Sequence, residues 1–355
     1  MQILIIILEY ILAIIGLSLI VFVHELGHFS MAKLGGMHVE EFFVGFGPKI
    51  FRFKDKSGTD YGISAIPLGG YNKILGMDRS EYIPPEMEDK AFYNKPFYKK
   101  FLVIIGGAGF NVIFALLLVM VLISMAGVGI PTTVIEDIQP GSPAESSGFR
   151  IGDEVIALNG QPVESWDDFS AMTKKFPGEE VVYTVRRGNS EIQIEVRLDN
   201  KDGEGFLGIS PGYEVKKLGF IGIIKESFKF IWDISVIYAK SFVMLFSGEI
   251  PLSEARPVSP VGIVSIFQQS AAMGPQNFIF LVALISLLLG YGNLIPIVPL
   301  DGGNIILIIV ESIRRKPVST KVIEIANYIG SFILISLIII ALVLDIISPF
   351  NIMNL

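Results

Sequence analysis

His24-Glu25-Leu26-Gly27-His28 decides the fold of this chain, because it places three ionisable side chains at the end of an apolar run. Residues 3–23 carry one charge, Glu9, and about 21 residues at ~1.5 Å each cross a ~30 Å hydrocarbon core. On a helix, His24 and His28 share one face and can bind one metal ion, while Glu25 can deprotonate a water molecule bound to that ion. The pentad predicts metalloprotease chemistry at the far end of a membrane span. Histidines that simply cap a helix are the alternative.

The composition agrees with a membrane protein that carries a water-soluble insert. The chain has 355 residues, 51% hydrophobic residues, a mean hydropathy of +0.59 and no cysteine, so no disulfide can form. The first apolar run is too long for the hydrophobic part of a signal peptide and lacks a basic start, so we interpret it as a retained span. No nucleic-acid or phosphate-loop signature is present.

Three further apolar runs have the length of spans. They are Phe101–Ala126, Phe278–Ile297 and Tyr328–Ile347. Residues 31–100 contain eleven Lys and Arg and residues 311–321 contain four, whereas both tails contain none, so these two loops are predicted to be cytoplasmic. Both termini and the acidic segment 130–277 are then extracytoplasmic, and the pentad lies toward the cytoplasmic side of the membrane.

Two histidines hold a catalytic zinc incompletely, because such a site normally has three protein ligands and leaves the fourth position open. The remaining histidine, His38, follows a Gly-rich stretch and fits a solvated loop better. Asp301 is the stronger candidate, since Pro296 and Pro299 must break a helix at membrane depth just before it. Irregular backbone is tolerated there when it is buried in protein or lines a wet cavity. An interfacial aspartate that caps the next helix is the alternative.

The pentad in a first span, paired with Asn293–Gly303 in a third, resembles the site-2 protease family of intramembrane zinc peptidases. The single insert between spans two and three is similar to the bacterial branch, the regulator of sigma-E protease type. The resemblance implies one Zn²⁺ per chain bound by His24, His28 and Asp301, with Glu25 as general base and Asn293 holding the substrate backbone. The Val298-Pro299 order, Leu288 and Ala108 depart from the usual pattern, which affects the substrate contacts rather than the ligands.

Two further stretches resemble substrate-binding elements of that family. Gly107-Ala108-Gly109-Phe110-Asn111 is similar to its second-span GxxxN element and implies a substrate contact for Asn111, although ordinary packing of small residues is the alternative. Tyr61–Tyr71, with Gly69 and Gly70, resembles its membrane-dipping β-hairpin. Such an exposed strand edge could pair with an unwound substrate. An interfacial hairpin without substrate contact is the other reading.

The insert, residues 131–212, is predicted to be a PDZ-like domain. Short β-type runs alternate with Gly and Asn turns and leave room for two short helices, one of them at Trp166–Lys174. The sequence segments Pro140–Glu145 and Gly152–Gly160 carry the resemblance to PDZ domains. It implies a peptide groove formed by Gly205, Phe206, Leu207, Gly208 and Ile209. The domain could bind peptides, or it could exclude untrimmed substrates by bulk, which we favour.

We therefore predict a multi-pass α-helical membrane protein with four transmembrane helices, an inserted α+β PDZ-like domain and a membrane-associated β-hairpin. Residues 1–130 and 278–355 form the two halves of the peptidase core, and residues 213–277 form a linker with an amphipathic interfacial helix at Gly219–Phe246. The resemblance implies an enzyme of the bacterial cytoplasmic membrane. It would cleave transmembrane segments of single-pass proteins trimmed by an upstream site-1 protease, anti-sigma factors or remnant signal peptides. A metal-ion transporter and a non-catalytic PDZ scaffold are the alternatives.

Overall fold

The computed structural model describes residues 2–78, 81–249 and 256–349. The first residue and the last six, which include parts of both predicted extracytoplasmic tails, lie outside this range, as do residues 250–255 of the predicted linker. The chain divides into two compact units. One unit combines residues 1–122 with 223–355, and the other consists of residues 123–222.

Four helices of the first unit are long and apolar enough to cross a membrane, as the sequence predicted, counted over the part of the chain that the structure describes. They are α1 (Gln2–Leu34), α2 (Phe97–Ala126), α7 (Pro275–Asn293) and α9 (Thr320–Ile347). The first helix is longer than the predicted span. It continues past the pentad to Leu34, because no breaker occurs before Gly35 and Gly36, and Gly36 adopts a φ of +70°. The pentad is therefore held inside a continuous helix.

The third span ends earlier than predicted. Helix α7 stops at Asn293, and residues 294–300 form the irregular segment that Pro296 and Pro299 predicted. Asp301 is then the first residue of α8 (Asp301–Arg314), where a carboxylate is favourable beside the helix N-terminus. The sequence indicated helix α8 only through the alternative that Asp301 caps a following helix, because its apolar run, residues 305–310, is too short for a span.

Two more helices precede α7. Helix α5 (Phe220–Ser247) covers the predicted amphipathic segment and is not among the four apolar spans. Helix α6 (Pro260–Ala272) was missed, although its start carries a recognisable signal. Ser259 is the N-cap, with its hydroxyl accepting from the Gly262 amide at 3.1 Å, and Pro260 occupies the first turn. Asp345 of α9 accepts from the Ser259 amide at 2.9 Å and so fixes α6 to the end of α9.

The loop after α1 forms two long antiparallel strands, β1 (Val39–Lys54) and β2 (Asp60–Ile74). Both strands bend, so that Val44 pairs with Ile63 as well as with Gly70. Residues 41–44 consequently lie between residues 60–63 and residues 70–73. We call residues 70–74 the edge segment, because its backbone pairs with β1 on one side. The predicted stretch Tyr61–Tyr71 is thus most of one strand of a larger hairpin rather than a complete hairpin.

The second unit is an α+β domain built on a five-strand path. The path runs β10 (Ile209–Lys216), β3 (Val128–Ile138), β4 (Glu154–Leu158), β6 (Glu180–Arg187), β7 (Ser190–Arg197). The remaining elements are α3 (Pro143–Ser146), β5 (Gln161–Pro162), α4 (Trp166–Thr173), β8 (Asp199–Lys201) and β9 (Glu204–Phe206). Its core is lined by inward side chains of β4, β6 and β7 and by Phe169 of α4. The outermost pair between β3 and β10 joins Val128 to Lys216. These two residues lie a few positions outside the predicted domain limits, residues 131 and 212.

A buried ion pair stabilises this second unit. Asp153, almost inaccessible, accepts from Arg187 Nε at 2.7 Å and Nη2 at 2.8 Å, and from the Arg150 amide at 2.9 Å. Burial alone would raise the pKa of Asp153, but these donors together lower it. Because the folded pKa is depressed, the stabilisation is present above the unfolded pKa and is lost as the pH falls through the folded one.

We predict that Arg187→Met destabilises the second unit by about 1–3 kcal/mol at neutral pH, because it leaves Asp153 charged and buried. Hydrogen exchange of the β4 and β6 amides in the full-length protein measures the effect. The difference from the wild type should shrink in acid, where Asp153 is protonated in both. Arg186→Met, which breaks an exposed pair with Glu154, is the control and should cost under ~1 kcal/mol. Equal losses in the two variants would contradict the role of burial.

Candidate metal centre

The structure brings His24, His28 and Asp301 together, although 273 residues separate the second histidine from the aspartate. His24 and His28 lie one helical turn apart on α1 and are buried. Their Nε2 atoms are 3.1 Å apart. Asp301 Oδ2 lies 3.2 Å from His24 Nε2 and 3.4 Å from His28 Nε2. Within the described residues, this is the group of His, Asp and Glu side chains that could hold a metal ion.

These separations fit a tetrahedral metal. Zinc binds imidazole nitrogen and carboxylate oxygen at ~2.0–2.2 Å, which places neighbouring ligand atoms about 3.3 Å apart. Asp301 Oδ2 is buried and makes no well-directed hydrogen bond in the described structure. Three electron-rich atoms pointed at one another in an apolar region need a shared cation. The donor set therefore suits zinc, with one position left for water or substrate.

The tautomer of His28 is set by α2. Its Nδ1 lies 2.8 Å from the Val103 carbonyl oxygen, so Nδ1–H donates and Nε2 presents its lone pair. His24 Nδ1 is buried and has no hydrogen-bond partner in the described structure. The two rings pack edge to face with centroids 4.7 Å apart. Helix α2 thus orients one ligand through its backbone, and packing holds the other.

Glycines allow α2 to approach the two rings. A Cβ on Gly107 would lie 2.7 Å from Cε1 of both His24 and His28, and a Cβ on Gly27 would overlap the backbone of Gly106. A Cβ on Gly109, on another face of α2, would meet nothing within 4 Å. Small residues at helix contacts in membranes let backbones come close. Gly107 of the predicted GxxxN element therefore contributes space beside the metal ligands.

Asp301 is positioned by the irregular segment before it. A Cβ on Gly302 would overlap the carbonyl of Leu294, and a Cβ on Gly303 would overlap the backbone of Val298. The first turn of α8 can therefore lie directly against residues 294–300. This contact turns the Asp301 carboxylate back toward α1. The proline-broken segment and the two glycines act together in placing the third predicted ligand.

Glu25 lies beside the ligands and is held by a residue that the sequence did not reveal. Asn72 Nδ2 donates to Glu25 Oε2 at 2.5 Å, with a second, longer contact of 3.4 Å to the Glu25 carbonyl oxygen. Asn72 belongs to the edge segment. Gly70, in the same segment, would place a Cβ 3.7 Å from Glu25 Cγ, and Gly69 adopts a φ of +89°. Of the two predicted glycines, Gly70 therefore neighbours the predicted base, whereas Gly69 lies against the ring of Phe46.

The predicted substrate-contact asparagines occupy different surroundings. Asn111 is fully buried where α2 meets α7, neither polar atom of its side chain has a partner in the described structure, and Ser286 Oγ donates to its carbonyl oxygen at 3.0 Å. Asn293 is half-buried at the end of α7, with Nδ2 donating to the Leu289 carbonyl oxygen at 3.1 Å. His38, beside the start of β1, is not in the ligand cluster.

The predicted groove residues of the second unit lie on β9, on the loop after it and at the start of β10. Gly205 N donates to the Lys174 carbonyl oxygen at 3.1 Å, and Gln139 N donates to the Gly208 carbonyl oxygen at 2.9 Å. Gly208 has a φ of +86°, which favours glycine. Strand β10 pairs with β3 on one side, which leaves an edge of the kind that peptides extend.

The fold and the cluster define a class: a membrane protein whose helices bring together a metal-binding triad and an adjacent carboxylate. Comparison with known proteins then gives the family. Residues 12–337 match peptidase family M50. The chain belongs to this family of site-2 proteases and is a zinc metalloprotease.

Several relatives match along almost their whole length. A putative zinc metalloprotease of Clostridium acetobutylicum is 31% identical over 96% of this chain and 98% of its own. One from Fusobacterium nucleatum is 33% identical over 87% and 90%. The regulator of sigma-E protease RseP of Escherichia coli is 26% identical over 94% and 97%. Among solved structures, the PDZ domain of an SdrC-like protein from Listeria innocua is 21% identical, with a TM-score of 0.22, over 23% of this chain and 96% of that one.

We predict that Gly107→Ala lowers both zinc retention and thermal stability, because its methyl group would displace the two imidazoles. Overpacking of this kind costs about 1–3 kcal/mol. Gly109→Ala is the matched control two residues away and should be neutral or stabilising by ~0.5–1 kcal/mol, since alanine favours the helix. Metal analysis of purified protein and thermal unfolding in detergent measure both effects. Full zinc occupancy in Gly107→Ala would show that the close approach does not matter.

Proposed function

We propose that this protein is an intramembrane endopeptidase that hydrolyses a peptide bond in the transmembrane segment of a single-pass protein. The observation that carries the proposal is the convergence of His24, His28 and Asp301, with Glu25 adjacent, where α1, a helix apolar enough to cross a bilayer, meets the start of α8. Ionisable groups at that depth are costly and usually functional. A peptidase whose metal site is built there has access to bonds that soluble proteases do not reach.

In the proposed mechanism, His24, His28 and Asp301 would hold the zinc, which supplies Lewis acidity to the scissile carbonyl and to the attacking water. Glu25 accepts the proton of that water and passes it to the leaving amine. Since Oε2 of Glu25 already accepts from Asn72, the proton is received at Oε1. The other oxygen stays fixed, so the carboxylate does not rotate away from the water.

The substrate must be unwound before attack, because a helix hides its carbonyl groups in internal hydrogen bonds. The edge segment lies beside Glu25 and pairs with β1 on one side, and Gly70 keeps a side chain away from Glu25. An extended substrate segment would pair with it as an added strand. Asn293, near the end of the broken segment, would hold the substrate backbone once its amide leaves Leu289. Asn111, which is buried where α2 meets α7, would also contact the substrate.

The orientation in the membrane follows from charge. Residues 31–100, which include β1 and β2, contain eleven basic residues, and residues 311–321 contain four. Such loops stay in the cytoplasm, which puts the hairpin and the active site toward the cytoplasmic side of the bacterial inner membrane. The PDZ-like domain and both termini would be extracytoplasmic, and α5, with its mixture of apolar and charged residues, would lie at the interface.

Anti-sigma factors are the proposed substrates, and remnant signal peptides are a second class. The E. coli relative is named a regulator of sigma-E protease, and that name motivates the assignment. An upstream site-1 protease would first shorten the extracytoplasmic part of the same substrate. The PDZ-like domain would then act by bulk as a filter that excludes untrimmed proteins, with its groove at residues 205–209 available for a peptide.

We predict that Glu25→Gln keeps its zinc and loses cleavage of a single-pass model substrate by about 10²–10⁴-fold, because the amide cannot accept the proton. Metal analysis and cleavage in proteoliposomes give the two readouts. Glu9→Gln, a change of the same kind on the same helix, is the control and should cleave normally. Cleavage at the wild-type rate by Glu25→Gln would refute the base. Zinc loss would mean that Glu25 serves the site structurally, and transport without cleavage would favour a transporter.

We also predict that excision of residues 128–216 lets the enzyme cut untrimmed substrate while trimmed substrate is cut as before. Val128 and Lys216 are paired across β3 and β10, so their Cα atoms lie about 5 Å apart and a short Gly-Ser linker can join the ends. Cleavage of matched long and trimmed substrates measures the gain. Phe206→Ser, a groove change that keeps the bulk, should leave the filter intact. An excision variant that still rejects long substrate would place the filter elsewhere.

A further inference from the structure

Among the residues that the structure describes, Asn72 donates the side-chain hydrogen bond that holds the carboxylate of Glu25. One amide nitrogen serves two acceptors, Oε2 at 2.5 Å and the Glu25 carbonyl oxygen at 3.4 Å. The first acceptor is an oxygen of a carboxylate, and hydrogen bonds to an ionised group are roughly twice as strong as neutral ones. Glu25 has three rotatable side-chain bonds, and the amide holds its carboxylate close to its own backbone. The side chain is thus confined to one orientation.

We propose that Asn72 is a positioning residue for the peptidase reaction, which sets the orientation of the Glu25 carboxylate toward the attacking water. The inference rests on the proposed role of Glu25 as general base. A base must come within ~2.6–3.2 Å of the proton that it abstracts, and a misplacement of about 1 Å can cost 10²-fold in rate. The Asn72 bond to Oε2 leaves Oε1 free for that proton.

The support for Asn72 is rigid, because its strand is fastened to the helix that carries Glu25. Asn72 pairs with Phe42 of β1. The Phe42 ring contacts Phe22 of α1 edge to face at 5.8 Å and Phe29 of α1 at 4.8 Å. Ser18 of α1 also donates to a carbonyl oxygen of β2. Phe22 and Phe29 lie on both sides of Glu25 along the helix, so base and positioning residue move as one body.

Asn72 also lies at the edge of a cavity whose described lining does not include Glu25 or the proposed metal ligands. A cavity of about 540 Å³ is lined by Asn72, Lys73 and Ile74 of the edge segment and by Asn304, one turn after Asp301. In the strand addition proposed above, the edge segment would hold the substrate backbone while Asn72 orients the base. A strand with both tasks fixes the distance between the scissile carbonyl and Glu25. The Asn72 side chain serves the base, and the strand backbone would serve the substrate.

The test is a kinetic comparison of Asn72→Leu with wild type in the full-length, zinc-loaded enzyme and a single-pass model substrate. Leucine has a similar size and lacks the donor. We expect kcat to fall by about 10–100-fold, with KM, zinc content and melting temperature unchanged. Asn94→Leu is the matched control: its amide also donates to a backbone carbonyl, that of Glu88 at 3.0 Å, and it lies outside the site. This control should retain wild-type kcat.

Two further variants keep the test decisive. Asn72→Asp keeps the shape but replaces the donor with a second carboxylate, so kcat should fall even if Asn72→Leu does not fold. Asn72→Gln restores an amide and should recover part of kcat. In a Glu25→Gln background, Asn72→Leu should reduce the residual rate no further, because residues that act through one another are not additive.

Several outcomes would overturn the inference. They are an unchanged kcat in both Asn72→Leu and Asn72→Asp, a rise in KM alone, a loss of zinc or stability in step with kcat, or an additive effect in the Glu25→Gln background. Each of these outcomes can be observed only if the wild-type enzyme cleaves the model substrate. A zinc-loaded wild type that fails to cut any single-pass substrate would instead contradict the proposed function, which keeps the two failures distinct.

Discussion

The organisation of the membrane unit depends on the convergence of two imidazole nitrogens and one carboxylate oxygen, mutually 3.1–3.4 Å apart, inside a set of apolar helices. Without a cation between them, these lone pairs would repel one another in a region where water cannot compensate. With a tetrahedral metal, each atom gains a bond at its preferred distance. A metal at this position would be both the proposed catalytic group and a cross-link between α1 and α8, which are far apart in the chain.

Close packing makes that convergence possible. Gly27 and Gly107 let α1 and α2 touch at the level of the ligands, and Gly302 and Gly303 let α8 begin against the broken segment. In lipid the hydrophobic effect does not drive helices together, so association relies on close contact and internal hydrogen bonds. Glycines at these positions therefore contribute to activity indirectly, by bringing the backbone of one helix next to the functional side chains of another.

The hairpin and the second unit differ in how they relate to the candidate site. The bent pair β1 and β2 brings the edge segment beside Glu25, and Asn72 connects that segment to the base. The second unit has its own core and its own buried ion pair, so its stability does not rely on the metal. The first arrangement is the one that the proposed chemistry uses, and the second unit is the part to which the proposed size filter is assigned.

Local sequence determined much of this protein. Spacing, hydropathy and turn residues, all of which act over a few positions, indicate the pentad, the four apolar helices, the proline-broken segment before Asp301 and the strands of the second unit. The continuation of α1 to Leu34, helix α6 and the bent β1–β2 pairing were not predicted, because these features depend on the absence of a breaker, on a cap and on distant partners. Only the tertiary structure brought Asp301 within reach of the histidines and Asn72 within reach of Glu25. Contacts between residues 47 or 273 positions apart have no periodicity that a sequence can display, since they are set by the packing of whole elements.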